Sequence, residues 1–175
     1  MIEEDWQDNA VSLFQRLLPV GTAVILVLLA YGPVYIDLFN NIRPDLGMIA
    51  IYFWMLQRPD LFDLKSVTIL GIIDGAVSAS AFGLGLFSYL LMYVLMMHLR
   101  KYLNGRSFVV IWYGFMALSL GVMIVKWLAA SIYHGEFLPI LPAMFSYLIG
   151  AAIYPVTAML LAALQNWFLQ DDDEL

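Results

Sequence analysis

The sequence predicts an all-α integral membrane protein, a bundle of six transmembrane helices in a single domain. Hydrophobic residues make up 63% of the 175 residues, charged residues make up 13%, and the mean hydropathy is +0.84. This composition lies outside the range of soluble domains. Apolar runs recur along the chain, and each spanning helix needs about 20 residues. The length therefore accommodates about six spans and leaves no room for a separate catalytic domain.

The six spans are assigned from the apolar runs and from the residues that interrupt them. The first run follows an acidic segment and has no small-residue cleavage site, so we expect it to be retained rather than removed as a signal peptide. Gly83 and Gly85 mark a tight turn between the third and fourth spans, and Pro155 is expected to bend the sixth. The predicted spans are approximately 17–38, 44–58, 66–82, 84–99, 107–133 and 142–169, with acidic termini at 1–15 and 170–175.

The second span is the shortest element of this topology, since its apolar run covers only residues 46–57. A helix of that length rises about 18 Å, whereas the hydrocarbon core of a bilayer is about 30 Å thick. Pro44 suits a first helical turn, and Arg43 and Arg58 can extend their charged ends to the two interfaces. Whether this segment crosses the whole membrane is left open by its length. A crossing is favoured, because a loop of apolar residues would leave its backbone groups unsatisfied.

Lys and Arg residues are distributed unevenly between the loops, and positively charged short loops remain in the cytoplasm. With six spans, Arg43 is the one basic loop residue on the outer side of the membrane, against six on the cytoplasmic side. The same ratio would arise if the second segment did not cross, with only the amino terminus changing sides. We therefore expect both termini in the cytoplasm. The six basic residues on the cytoplasmic side are Arg16, Arg58, Lys65, Arg100, Lys101 and Arg106.

The sequence offers little support for an enzyme. There is no Cys, which removes thiolate nucleophiles, thiolate metal ligands and disulfides. The two His residues, His98 and His134, fall at opposite ends of the predicted bundle and cannot share a metal or act together as acid and base. We expect no catalytic residues, no cofactor and no metal. The net charge of −6 and the acidic termini also argue against nucleic acid and anionic lipid as ligands of these ends.

Asp74 is the one Asp, Glu, Lys or Arg residue between positions 66 and 97. Charges at membrane depth are costly and usually have a partner inside the bundle. By helical rise, Asp74 and Lys126 lie at similar depths, about 10–12 Å from the outer end of their spans. An ion pair between Asp74 and Lys126 is one hypothesis, and Ser78 is a local hydrogen-bond donor for Asp74. The alternative for Lys126 is that its ammonium reaches the outer interface.

Small residues recur at two places where helices could approach closely. Gly71, Gly75, Ala79 and Gly83 share a four-residue period on the third span, and Ala117 with Gly121 forms a second pair on the fifth. Such stripes allow membrane helices to gain close van der Waals contacts. For the third span we favour packing within the bundle over a partner-binding face.

The middle of the chain resembles the MreD family of rod shape-determining proteins. The resemblance covers about residues 42–93 and rests on the order and spacing of several motifs. These are Arg43-Pro44-Asp45-Leu46 at the start of a short apolar helix, Arg58-Pro59, and the segment from Gly71 and Asp74 through Gly83 to Tyr89. Carried over by position, Arg43, Pro44, Asp45 and Asp74 match the recurring polar motif of the family and are expected to serve as structural or contact residues.

The resemblance implies a fold similar to the substrate-binding subunits of energy-coupling-factor transporters. It also implies a non-catalytic scaffold of the bacterial elongation machinery, supporting peptidoglycan synthesis and cell shape. The expected direct partner is MreC, with RodA, a class B penicillin-binding transpeptidase and MreB reached through the complex. The alternative is the substrate-binding membrane subunit of a vitamin transporter, which would need a pocket with several convergent polar groups. A membrane enzyme is a third class without a supporting residue set.

Overall fold

The computed structural model describes residues 17–32, 43–78 and 83–169, and within these ranges the chain forms six helices and no strand. The predicted all-helical fold is thereby confirmed. In chain order the helices are α1 Leu17–Ala30, α2 Leu46–Gln57, α3 Leu64–Ser78, α4 Leu84–Leu103, α5 Phe108–His134 and α6 Leu141–Leu169. Residues 33–38 of the predicted first span and the small residue Ala79 lie outside the described residues.

The short helix α2 occupies the centre of the bundle. Every residue from Gly47 to Leu56 is buried, and α2 packs against α3, α4, α5 and α6. This fits its sequence, because an apolar helix without a polar face is stable only when it is surrounded by apolar material.

Polar groups on α2 are satisfied by its neighbours. The Tyr52 hydroxyl donates to the Ile111 carbonyl of α5 at 2.7 Å, and the Trp54 indole donates to the Thr22 hydroxyl of α1 at 3.1 Å. Buried polar groups with partners stabilise a fold, whereas unpaired ones cost free energy. These bonds fix the rotation of α2 between α1 and α5.

Helices α3 and α4 form the hairpin predicted from the glycines. A Cβ at Gly71 would lie 2.7 Å from the Leu86 Cα, so the two backbones approach too closely at this point for a larger residue. Gly83 belongs to the turn and not to the α3 stripe in which the sequence placed it. It is the N-cap of α4 with a φ of +93°, in the left-handed region that favours glycine.

Helices α5 and α6 are the two long, apolar helices among the described residues. By length and composition each could cross a membrane, with mean hydropathies of 2.3 and 1.9 in their most apolar windows. Large apolar side chains such as Val109, Leu120 and Ile124 of α5 and Leu148 and Met159 of α6 are exposed. A long apolar surface of this kind is what lipid-facing helices present.

Pro155 lies inside α6, and its missing amide hydrogen is compensated by a neighbouring helix. Proline at this position cannot donate to the carbonyl of Ala151, four residues earlier. The indole of Trp112 on α5 donates to that carbonyl at 2.9 Å. Proline is tolerated within membrane helices where a neighbour satisfies the freed backbone group in this way.

Candidate functional site

Asp45 begins the candidate site by capping the buried end of α2. Its Oδ1 accepts a hydrogen bond from the Met48 amide at 3.1 Å. Aspartate is favoured at this position because its carboxylate satisfies an amide that has no partner inside the helix. The negative charge also interacts favourably with the positive end of the helix dipole.

Tyr89 joins Asp45 to Asp74, and Tyr31 supplies Asp74 with a second phenol donor. The Tyr89 hydroxyl lies 2.9 Å from Asp45 Oδ1 and 3.2 Å from Asp74 Oδ1, and the Tyr31 hydroxyl donates to Asp74 Oδ1 at 2.7 Å. Asp74 is only 5% exposed. A buried carboxylate is tolerated where hydrogen-bond donors surround it. The partners of Asp74 are therefore phenols from α4 and from the end of α1.

Lys126 pairs with Asp45 and not with Asp74. Its Nζ lies 3.4 Å from Asp45 Oδ2. The predicted similarity in depth between Asp74 and Lys126 is consistent with this arrangement. Lys126 contacts Asp45, and Asp74 contacts Tyr89, which also donates to Asp45. The proposed direct pair between Asp74 and Lys126 is wrong, because Asp45 enters the bundle ahead of α2 and lies beside Lys126.

Arg43 completes what we call the polar cluster. Its guanidinium carbon lies 5.3 Å from the centre of the Tyr31 ring, within the range of a cation–π contact. The cluster draws on five helices or their flanking residues, so that breaking one contact affects the relative positions of several helices. Its members are Tyr31, Arg43, Asp45, Asp74, Tyr89 and Lys126.

Two glycines that the sequence analysis did not assign to the site make room for the cluster. A Cβ at Gly47 would overlap the Tyr89 hydroxyl, and a Cβ at Gly85 would overlap the Asp74 carboxylate. Gly85 had been assigned to the turn alone. Nothing in their spacing indicates this role, because both contacts join residues of different helices.

A cavity of about 520 Å³ adjoins the polar cluster. Small-molecule sites commonly have volumes of about 300–1,000 Å³ and combine an apolar lining with a few convergent polar groups. Here the cluster forms one wall, with Pro44 beside it, and apolar and aromatic residues of α5, α6 and the segment between them form much of the remainder. These include Phe115, Met123, Trp127, Leu138, Ala143 and Tyr147.

The small residues singled out in the sequence have different surroundings. Gly71 serves the contact between α3 and α4, whereas a Cβ at Gly75 would meet no atom within 4 Å. Gly121 on α5 is likewise open, and Ala117 one turn earlier is exposed. The Ala117–Gly121 pair therefore lies on the surface of the described bundle and not at a contact between its helices.

The chemistry of the site is that of charge held in place by hydrogen bonds. Within the described ranges no group of three or more His, Asp or Glu residues is arranged to hold a metal ion. The cluster can orient helices and can present charged groups to a molecule in the cavity. No family model, curated protein or solved structure matches the chain.

Proposed function

We propose that this chain is a non-catalytic scaffold subunit of the bacterial elongation machinery, acting as an MreD-like membrane protein. The observation that carries the proposal is the convergence of Arg43, Asp45 and Asp74, three positions of the motif on which the resemblance rests, in one polar cluster. Tyr89, at the end of the same resemblance, joins the two carboxylates. Residues used to hold helices together in this way suit a structural role.

The proposed membrane arrangement has six spans with both termini in the cytoplasm. It is supported by the six-to-one distribution of basic residues and by the apolar surfaces of α5 and α6. The central position of α2 removes the objection that this helix is too short to face lipid. Its irregular start lines a cavity, which is where non-helical backbone is tolerated at membrane depth.

The proposed partner is the transmembrane helix of an MreC protein, through which RodA, a class B penicillin-binding transpeptidase and MreB are reached. Lipid provides no hydrophobic drive for the association of two helices, so such a contact depends on close fit at small residues. Ala117 and Gly121 offer such a surface on α5, and Gly75 offers a smaller one on α3.

The test introduces bulk at these positions and measures co-purification of MreC in mild detergent. At least one of Gly121→Leu and Gly75→Leu should abolish MreC recovery without reducing the amount of the scaffold in the membrane, and cells that depend on it should become round. Ala163→Leu is the matched control, since Ala163 is exposed on α6 away from these surfaces. The scaffold proposal is abandoned if depletion of the chain leaves rod shape and MreC complexes unchanged.

The cavity favours a second candidate, the substrate-binding membrane subunit of a vitamin transporter. This alternative requires a pocket with convergent polar groups, and the cavity beside the polar cluster provides one. The two candidates differ in their partners. An ATPase module recovered in place of cell-wall proteins, together with loss of vitamin uptake on depletion, would establish the transporter subunit.

A further inference from the structure

We propose that the cavity binds an amphiphile whose phosphate or carboxylate headgroup lies against Lys126 and Arg43. The apolar body of this molecule would lie among the side chains of α5 and α6. The inference does not depend on the scaffold role, because it rests on the lining of the cavity alone. A cluster that served only to hold helices together would not need a cavity beside it, and the proposal assigns a class of ligand to that cavity.

The sign of the headgroup follows from the hydrogen-bonding capacity of the cluster. The carboxylate of Asp45 already accepts from the Met48 amide, the Tyr89 hydroxyl and the Lys126 ammonium. Asp74 accepts from Tyr31 and is also in contact with the Tyr89 hydroxyl, and it is buried. Three of the four carboxylate oxygens, Asp45 Oδ1, Asp45 Oδ2 and Asp74 Oδ1, therefore already face a donor of the protein itself.

The two cations have donors to spare. Lysine and arginine carry several N–H donors each and no acceptor. Within the described ranges, the acceptor assigned to these groups is Asp45 Oδ2, at 3.4 Å from Lys126. Both residues line the cavity. An acceptor-rich anion, phosphate or carboxylate, is the complement of such a wall.

The local balance in the cavity thus differs from the acidity of the whole chain. A net charge of −6 predicts no affinity for anions when it is read from the sequence. However, electrostatic interactions inside a low-dielectric bundle are dominated by the groups within a few ångströms. Two cations and two carboxylates line the cavity, so its local charge is balanced, and the N–H groups of Lys126 and Arg43 remain available to an anionic headgroup.

The remainder of the lining indicates an apolar body. Phe115, Met123, Trp127 and Leu138 border the cavity together with Ala143. A small inorganic ion would leave most of the 520 Å³ in contact with apolar side chains. An amphiphile would fill the space and bury these surfaces, a gain of about 25 cal/mol for each Å² removed from water.

The test measures binding of soluble amphiphiles to the full chain in a neutral detergent by thermal shift and calorimetry. Hexyl phosphate and hexanoate should raise the melting temperature, and hexyltrimethylammonium, which has a similar apolar body and the opposite charge, should not. Ala143→Phe fills the cavity without altering the polar cluster and should raise the Kd for hexyl phosphate at least tenfold. Ala163→Phe, on an exposed face of α6, should leave the Kd unchanged.

A second variant tests the headgroup site separately. Lys126→Gln retains an N–H donor for Asp45 and removes the positive charge, so the Kd for hexyl phosphate should rise about tenfold. If this variant does not fold, Ala143→Phe still decides. Equal stabilisation by the cationic amphiphile, or anion binding that Ala143→Phe does not weaken, would overturn the proposal.

The source of the ligand is distinguished by native mass spectrometry after extraction from bilayers of equal phosphatidylglycerol and phosphatidylcholine. Retained phosphatidylglycerol that Ala143→Phe removes would identify a membrane lipid. Specific binding of hexyl phosphate without retained lipid would identify a free anionic metabolite of the same chemistry. Neither result depends on MreC recovery, so failure of the ligand proposal and failure of the scaffold proposal are separable.

Discussion

At the scale of single residues, Asp45 makes the largest number of contacts in the polar cluster. Its carboxylate caps α2, accepts from Tyr89 and pairs with Lys126. The side chains of Lys126 and Asp45 are 35% and 29% exposed, so solvent partly screens the charges of this ion pair. Its contribution to stability is consequently closer to that of an exposed pair than to that of a buried one.

A double-mutant cycle should detect this pair. Asp45→Asn preserves a side-chain acceptor for the cap, and Lys126→Met removes the ammonium, so that the double variant isolates the ionic contact. We expect a coupling free energy of about 0.5–1 kcal/mol in detergent unfolding. The same cycle with Asp74→Asn should give a smaller coupling, because Asp74 is held by phenols. A larger coupling to Asp74 than to Asp45 would reverse this assignment of partners.

Asp63, at the start of α3 and outside the predicted spans, should make stability pH-dependent. Its Oδ1 accepts from the Ser66 amide and hydroxyl, both at 3.0 Å. The hydrogen bond from the Ser66 amide is the main cause of a lowered pKa of Asp63. A lowered pKa means that the stabilisation is present above the unfolded value of about 3.9 and is lost as the pH falls below it.

The measurement is the melting temperature of the full chain against pH, compared with Asp63→Ala. Loss of the cap should cost about 1 kcal/mol at neutral pH. The difference between the two proteins should shrink as the pH falls from about 5 to 3, since protonation removes the charged acceptor. A difference that stays constant over this interval would show that the carboxylate charge is irrelevant to the cap.

At the scale of helices, α6 tolerates Pro155 because of α5. The Trp112 indole replaces the amide that proline cannot provide to the Ala151 carbonyl. A hydrogen bond between membrane helices is worth about 1–2 kcal/mol in favourable cases. The tolerance of α6 for proline is therefore a property of the pair of helices.

Trp112→Phe should destabilise the chain by about 1 kcal/mol, because it leaves the Ala151 carbonyl without a donor. In the Pro155→Ala background the backbone amide of residue 155 becomes available to that carbonyl, and the cost of Trp112→Phe should be smaller. Unfolding in mixed micelles measures both backgrounds. Equal costs would indicate that Trp112 stabilises the bundle through packing alone.

At the scale of the whole molecule, the position of Asp45 would account for the length of α2 in the proposed six-span arrangement. Lys126 lies about 12 Å below the end of α5 by helical rise, and Asp45 is beside it. The following 12 residues of α2 rise about 18 Å. Together these distances match the bilayer core of about 30 Å. In that arrangement the segment would traverse the membrane as the non-helical residues Arg43, Pro44 and Asp45 followed by the short helix.

The proposed topology predicts the location of both termini. A fluorescent reporter that is active only in the cytoplasm should give signal when fused to either end, because six spans return the chain to its starting side. The carboxyl-terminal fusion serves as the internal control, since both topologies place it in the cytoplasm. A dark amino-terminal fusion beside a bright carboxyl-terminal one would establish five spans and would show that α2 does not complete a crossing.

The helical class and the positions of the helices were predictable from the sequence, because apolar run length and composition act locally along the chain. The predicted ends agree to within a few residues for α5 and α6, whereas α1 ends at Ala30 and not at the predicted residue 38, since Tyr31 and Gly32 are not helical. Helix α4 continues to Leu103 beyond the predicted 84–99. The predicted span ended before Arg100 and Lys101 because these two basic residues were assigned to a loop. Basic residues are favourable in the last turn of a helix, so their charge does not mark its end.

The tertiary structure alone decided which charges meet. Asp45 and Lys126 are separated by 81 residues, and Tyr31 and Asp74 by 43. Helical rise gives the depth of a side chain but not the neighbour it faces, so Asp74 and Lys126 were paired by depth alone. Gly47 and Gly85 decide the neighbours, because the absence of a side chain at these positions lets Tyr89 and Asp74 approach. Such contacts depend on the packing of helices against one another, which no local pattern encodes.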